Sequence, residues 1–146
     1  MTIPTEPVGS IPRPFKLLHA IKRYGGLHPR LEPLYEKAIR DTIEQFEATG
    51  SPVITDGEQR KYHNFATYSV EGLPNTAPDG FELPFADGHS RRWRRLTAGP
   101  FRYVMHGYDF LDLAMKYAHV PVKQAIISPS ALSLMYPTEN LPGYSR

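Results

Sequence analysis

The sequence contains no cysteine, and this absence removes several kinds of chemistry. Disulfides, thiolate nucleophiles and cysteine-based zinc sites cannot be built from this chain alone. The sequence also lacks an apolar run of about 18 residues and a charged segment followed by an apolar one, so no membrane span is predicted and a cytoplasmic location is expected. None of the common glycine motifs for phosphate binding or for a nucleophilic serine occurs.

An excess of charge of one sign is absent as well, because 17 Lys and Arg face 15 Asp and Glu for a net charge of +2. This balance is too even to indicate a polyanion as the main partner. The one basic run is HSRRWRR at residues 89–95. It could contact phosphates or stack bases around Trp93, but a solvated or salt-bridged hairpin is the expected explanation, and nucleic-acid binding stays a minor alternative.

The chain of 146 residues, 40% apolar, is long enough for one core, and a single domain over residues 1–146 is predicted. Its 15 prolines fall between apparent elements. The pattern between them alternates strand and helix, which is typical of an α/β fold. Strands are predicted within residues 4–10, 51–56 and 121–130, helices over 15–24, 33–50 and 108–120, and an antiparallel insertion over about 65–104.

Polar residues follow each predicted strand, in VGSIPRP, TDGEQR and SPS. The carboxyl ends of parallel strands meet at the functional edge of an α/β sheet, so these clusters form a candidate site. Spacing alone favours a plainer explanation for Asp56 and Glu58, since Asp-Gly is a common turn pair. Ser10 and Arg13 could equally start the first helix. From the residues alone both explanations stay open.

Three segments in this order and spacing, VGSIPRP, GSPVITDGEQRK and VKQAIISPSAL, resemble the catalytic barrel of cobalamin-independent methionine synthase and its shorter relatives. The resemblance runs from Thr5 to Met135 and implies a (β/α)₈ TIM barrel like that of uroporphyrinogen decarboxylase. It also implies a methyl or alkyl transferase that acts on a thiol such as homocysteine, with a folate or another methyl donor.

The resemblance assigns substrate-binding positions residue by residue. In relatives the Gly-Ser after the first strand and the Glu after the second hold the amino-acid part of homocysteine, so Gly9, Ser10 and Glu58 are the matching positions. A buried carboxylate suits an ammonium, and a hydroxyl with backbone N–H groups suits a carboxylate. Asp56 and Arg60 flank the glutamate, and Ser128 and Ser130 match an element near the methyl donor. No catalytic residue is assigned.

The chain is shorter than the barrel of the family. A whole barrel needs about 250 residues, and only about three β/α units can be counted in this sequence. The family's zinc ligands include two cysteines in its later half, so no metal ligand is expected in this chain. The resemblance therefore implies a half-barrel that another chain completes, with zinc supplied by that chain. A homodimer, a truncated longer chain and a catalytically inert small-molecule-binding or regulatory module are the alternatives. Whether the chain is an enzyme by itself is left open.

Overall fold

The computed structural model describes residues 3, 5–61, 68–70, 72–77, 79–100 and 102–135. The chain divides into two compact units. The helical unit comprises Met1–Phe65 and His106–Ala125, and the hairpin unit comprises Ala66–Met105 and Ile126–Arg146. The single domain predicted from the sequence remains a prediction, and His63 and Phe65 of the predicted site rim and insertion lie outside the described residues.

Two of the predicted helices form where the sequence places them. Helix α1 spans Phe15–Tyr24 and ends at Gly25, whose φ of 82° is readily adopted only by glycine. A 3₁₀ turn over Pro29–Leu31 leads into α2, which spans Glu32–Ala48. Proline stands in the first turn of α2, where its missing N–H has no partner to lose. The predicted apolar face of α2 is confirmed by its buried residues, Tyr35, Ala38, Ile39, Thr42 and Ile43.

Two apolar clusters hold the helical unit together. The first joins α1 to α2 through Leu17, Ile21, Leu31, Tyr35 and Ala38. The second contains Ile39, Ile43, Ile54 and Ala114. Ala114 belongs to α3, which spans only Leu111–Met115 after a 3₁₀ turn over Gly107–Phe110, so the third predicted helix is shorter than expected.

The three predicted strands are not formed as strands among the described residues. The second and third touch through one parallel bridge, in which Ile54 N donates to Pro121 O at 3.0 Å and Lys123 N donates to Ile54 O at 2.9 Å. Prolines at 7, 52 and 121 have no N–H group that could donate a hydrogen bond to a neighbouring strand. This explains why the hydrogen bonding between the segments does not extend beyond the bridge. The structure is thus a mixed helix and strand fold, and the partial (β/α)₈ barrel expected from the sequence stays a prediction.

The hairpin unit holds the four short strands of the described residues, β1 Thr76–Ala77, β2 Glu82–Pro84, β3 Ser90–Arg92 and β4 Arg95–Leu96. Strand β1 pairs with β4 and β2 with β3, both antiparallel, the arrangement expected for this stretch. Trp93 is buried with Val70, Ile127, Leu132 and Met135, so its ring is not presented to a nucleobase. A 3₁₀ turn over Tyr68–Val70, α4 over Pro129–Leu132 and a 3₁₀ turn over Ser133–Met135 complete this unit.

Among the described residues, no helix combines the length and the apolar character that crossing a bilayer requires.

Candidate functional site

The candidate site is a turn of the helical unit, residues 55–61, that follows the bridged residue Ile54. Thr55 Oγ1 donates to Gly9 O at 3.0 Å and accepts from Gly57 N at 3.0 Å. Asp56 Oδ1 accepts from Glu58 N at 2.9 Å. These bonds shape a reversal in which Gly57 has φ 68° and Glu58 has φ 53°. A positive φ is uncommon for a residue other than glycine. The residues that adopt it are concentrated at functional sites.

Arg13 holds this turn from outside its own sequence. Its Nε donates to the carbonyl oxygen of Gln59 at 2.8 Å, and its Nη2 donates to those of Glu58 at 2.8 Å and Lys61 at 2.9 Å. One guanidinium thus binds three backbone carbonyls, which uses the planar fork that lysine lacks. The segment before α1 is therefore fastened to the turn, with a further bond from Ile11 N to Gly57 O at 3.1 Å.

The charged side chains of the turn are buried, contrary to the solvated turn that spacing alone favoured. Asp56 is 0% exposed, Glu58 is 6% exposed and Lys61 is 1% exposed. Lys61 Nζ donates to Ala125 O at 2.7 Å, and its ammonium lies 5.5 Å from the centre of the Phe110 ring. Buried ionisable groups are costly to maintain unless they are paired or serve a function.

Burial shifts the pKa of two groups in this cluster. It raises the pKa of Glu58, an effect that the Asp56 carboxylate strengthens and the charges of Lys61 and Arg13 oppose. Burial also lowers the pKa of Lys61, against the attraction of Glu58 and Asp56. In both groups the loss of hydration is the largest cause, so the charged forms of both are held in a poorly hydrated place. A ligand that brings an opposite charge would relieve this cost.

Gly9 packs against the predicted ligand-binding carboxylate. A Cβ at this position would lie 2.6 Å from Glu58 Oε1, so only glycine lets the first segment approach so closely. Ser10, which follows, is exposed. The structure therefore brings Gly9, Asp56 and Glu58 together, with Ser10 next to them in the chain. Their roles in binding substrate stay predictions.

The other predicted residues are Arg60, Ser128 and Ser130. The Arg60 side chain forms an ion pair with Glu32 and its guanidinium carbon lies 5.8 Å from the centre of the Tyr35 ring, so it faces the start of α2. Ser128 and Ser130 belong to the hairpin unit, where both are exposed and their hydroxyls lie 3.0 Å apart. Ser128 also caps α4 by accepting from Ala131 N at 3.2 Å. That capping role accounts for a serine at this position.

Sequence reasoning did not assign Arg13 or Lys61 to the site. Arg13 was considered only as a residue that starts the first helix, and the flanking Pro12 and Pro14 were the signal that its backbone is fixed in place. Lys61 is the last residue of a stretch rich in charged residues, and such a stretch is expected to be exposed to solvent. Its burial depends on Ala125 and Phe110, more than 40 residues away.

Within the described part of the chain, some buried polar atoms of the turn have no hydrogen-bond partner, namely Asp56 Oδ2, Gln59 Oε1 and Arg60 Nε. Asp56 Oδ2 is the most informative, because a buried polar atom without a hydrogen-bond partner is unfavourable. A donor supplied by a ligand would satisfy it. Within the described ranges, no group of three or more His, Cys, Asp and Glu could hold a metal ion.

No family model and no curated protein matches this chain. Its fold is similar to that of a B12-independent methionine synthase from Shewanella sp. W3-18-1, solved in complex with selenomethionine. The two structures agree with a TM-score of 0.67 at 16% sequence identity. The similarity covers 97% of this chain and 41% of the other, so the chain spans about two fifths of that enzyme. At this identity the similarity shows the fold, in agreement with the resemblance found in the three motifs.

Proposed function

We propose that this chain is the substrate-binding half of a methionine-synthase-like methyl or alkyl transferase that acts on a thiol amino acid such as homocysteine. In this proposal the chain supplies about three β/α units of a (β/α)₈ barrel. Support comes from the fold shared with part of the Shewanella enzyme. The observation that carries the proposal is the buried turn with Glu58 against Gly9 and an unpaired Asp56 oxygen.

The chemistry of this turn suits an amino acid. An ammonium group would bind the Glu58 carboxylate and reach Asp56 Oδ2, and the Gly9–Ser10 segment would offer backbone N–H groups and a hydroxyl to the carboxylate. Because an added positive charge favours the ionised form of Glu58, binding would lower a pKa that burial raises in the free protein. Affinity would therefore weaken as the pH falls and Glu58 becomes protonated.

A second chain would complete the barrel in this proposal. Val8 is 92% exposed and Phe15 is 83% exposed, and such large apolar side chains near the first predicted strand are candidates for coverage by a partner. A complementary half-barrel is the preferred partner, and a second copy of this chain is the alternative. Zinc and much of the site for a folate or other methyl donor would belong to the partner, and no step through zinc is assigned to this chain.

Calorimetric titration with L-homocysteine, kept reduced, tests the binding role. We expect Glu58→Gln to weaken binding by about tenfold or more, because it removes the charge opposite the ammonium. Gly9→Ala should also weaken it, because the new methyl displaces the Glu58 carboxylate. Glu82→Gln, which changes an exposed glutamate of the hairpin unit, is the matched control and should bind as the unmodified protein does. Equal affinity in Glu58→Gln and the control would refute the assignment.

Copurification from the native source tests the partner. We expect a chain of comparable size that contains a His, two Cys and a Glu suited to zinc, identified by mass spectrometry. Light scattering that shows only a monomer, with no second chain, would reject the split enzyme.

The inert binding module remains the second candidate, and it would use the same buried turn around Glu58. It predicts that homocysteine binds but that no methyl or alkyl transfer occurs when the partner and zinc are present. Turnover in the reconstituted complex would eliminate it.

A further inference from the structure

Positive charge is concentrated in one part of the helical unit. The segment 7–31 contains five Lys and Arg and two His but no Asp or Glu, whereas the rest of the chain is net acidic. Helix α1 lies in the middle of this segment. The near-neutral total charge therefore conceals a basic region.

A cavity of about 540 Å³ opens beside this helix. It is lined by four basic side chains of α1 together with apolar and aromatic ones: Lys16, His19, Ala20, Lys22, Arg23, Tyr24 and Leu34. Its volume falls within the range of small-molecule sites. No acidic side chain lines it.

Tyr24, which lines the cavity, has two guanidinium groups close to its ring. The guanidinium carbon of Arg23 lies 5.3 Å from the ring centre and that of Arg30 lies 5.6 Å from it. His28 packs on the same ring, with centroids 5.3 Å apart. The electron-rich ring face offsets part of the repulsion between the two cations. Two forked donors are thus held near each other before any ligand arrives.

Among the residues that the structure describes, these cations also have no acidic partner. On α2 the charges are paired, as in Lys37 with Asp41 and Arg40 with Glu44. By contrast, Lys16, Lys22, Arg23 and Arg30 form no ion pair with any acidic residue that the structure describes. Repulsion within such a group is relieved when an anion binds.

We propose that this cavity binds the phosphate groups of a small phosphorylated molecule. Guanidinium forks match phosphate oxygens in pairs, and the lysines add point charges at the rim. A small molecule suits the site better than nucleic acid does, because the basic region is confined to one helix and its following turn while the rest of the chain is net acidic and repels an extended polyanion. This site is independent of the function proposed for the Glu58 turn.

Calorimetric titration of the full chain with ATP and with inorganic tripolyphosphate tests the site. The double variant Lys22→Gln, Arg23→Gln should lose about tenfold or more in affinity for both probes. A matched control, Arg91→Gln with Arg102→Gln, removes two exposed cations of the hairpin unit and should change affinity by less than about twofold. Arg23→Lys should lose affinity in spite of its unchanged charge, because lysine lacks the fork.

Three results would overturn the proposal. The first is no binding of either probe at low ionic strength, where attraction between charges is strongest. The second is an equal loss in the control pair, which would indicate attraction by net charge alone. The third is much tighter binding of a single-stranded oligonucleotide than of ATP with a steep salt dependence, which would assign the surface to nucleic acid. Circular dichroism of each variant verifies that these exposed substitutions leave the helices intact.

Discussion

The turn at residues 55–61 of the helical unit and the β2–β3 hairpin of the hairpin unit contain the same kinds of charged residue in opposite surroundings. In the turn, Glu58 and Lys61 are buried, and Arg13 binds backbone carbonyls. In the hairpin, Glu82 and Arg92 are exposed and form an ion pair of 2.9 Å. Sequence composition does not separate these two cases, although only the first has the features of a binding site.

The surroundings shift the pKa values of Glu58 and Glu82 in opposite directions. Burial raises the pKa of Glu58, whereas hydrogen bonds from Ser90 and Arg92 lower the pKa of Glu82. The first carboxyl is held where its charge is disfavoured, and the second is stabilised as an anion by partners in water. An unfavourable environment maintained by a tightly bonded backbone indicates function more strongly than an exposed pair does.

The largest expected effect comes from removing the clamp on the turn. Arg13→Gln abolishes three charge-assisted bonds to the carbonyls of residues 58, 59 and 61. We expect the free energy of unfolding to fall by about 3 kcal/mol, measured by urea denaturation, because buried acceptors lose their donor.

Two further variants sharpen this result. Arg13→Lys retains the charge but not the fork, so it should recover only part of the loss. Arg91→Gln, on the exposed hairpin, should stay within about 0.5 kcal/mol of the unmodified protein. The contrast between turn and hairpin fails if Arg91→Gln destabilises as much as Arg13→Gln.

A smaller effect concerns pH, and its sign differs between the two regions. Because the pKa of Glu58 is raised on folding, its contribution to stability is complete below its ordinary pKa of 4.5 and declines as the pH rises through the raised value. For Glu82 the pKa is lowered, so its contribution is present above 4.5 and is lost as the pH falls through the lowered value.

Urea denaturation of the unmodified protein, Glu58→Gln and Glu82→Gln between about pH 3 and pH 7 measures both trends. The stability difference between the unmodified protein and Glu58→Gln should decrease with pH, at most by about 1.4 kcal/mol per unit for one proton. The stability difference between the unmodified protein and Glu82→Gln should increase with pH. Parallel trends in the two variants would show that Glu58 is not held in a poorly hydrated place.

The smallest effect is expected for the hairpin ion pair. Arg92→Gln removes the partner of Glu82, and because both side chains are exposed we expect no change in the denaturation midpoint beyond error. Any residual change should vanish in about 0.5 M salt, which screens exposed pairs. A large effect that persists in salt would mean that the hairpin contributes to stability as the turn does.

The helices were the most predictable part of the fold, for local reasons. The glycine after α1, the proline at the start of α2 and the apolar spacing from Tyr35 to Ile43 each act within a few residues. The strands were less predictable, because a strand depends on pairing with a distant segment. The prolines at 7, 52 and 121 reduce that pairing to the single bridge between Ile54 and Val122.

The candidate site was predictable in part. Gly9, Asp56 and Glu58 were selected from the sequence, and the structure brings them together. Arg60 was selected because it is adjacent in sequence, but its side chain turns to Glu32. Arg13 and Lys61 were not assigned, since their roles depend on contacts with residues more than 40 positions away. The binding role of this group awaits the titrations above.

The sequence by itself determined the positions of α1 and α2 and that polar residues follow the apolar residues of the second predicted strand, because capping, proline placement and helical spacing act locally. It also determined that this chain has no cysteine for a metal site. Only the tertiary structure decided that Asp56, Glu58 and Lys61 are buried, that Arg13 fastens their turn, and that two arginines meet on the Tyr24 ring. Hydration and electrostatic interaction depend on distances across the fold, which local sequence patterns do not specify.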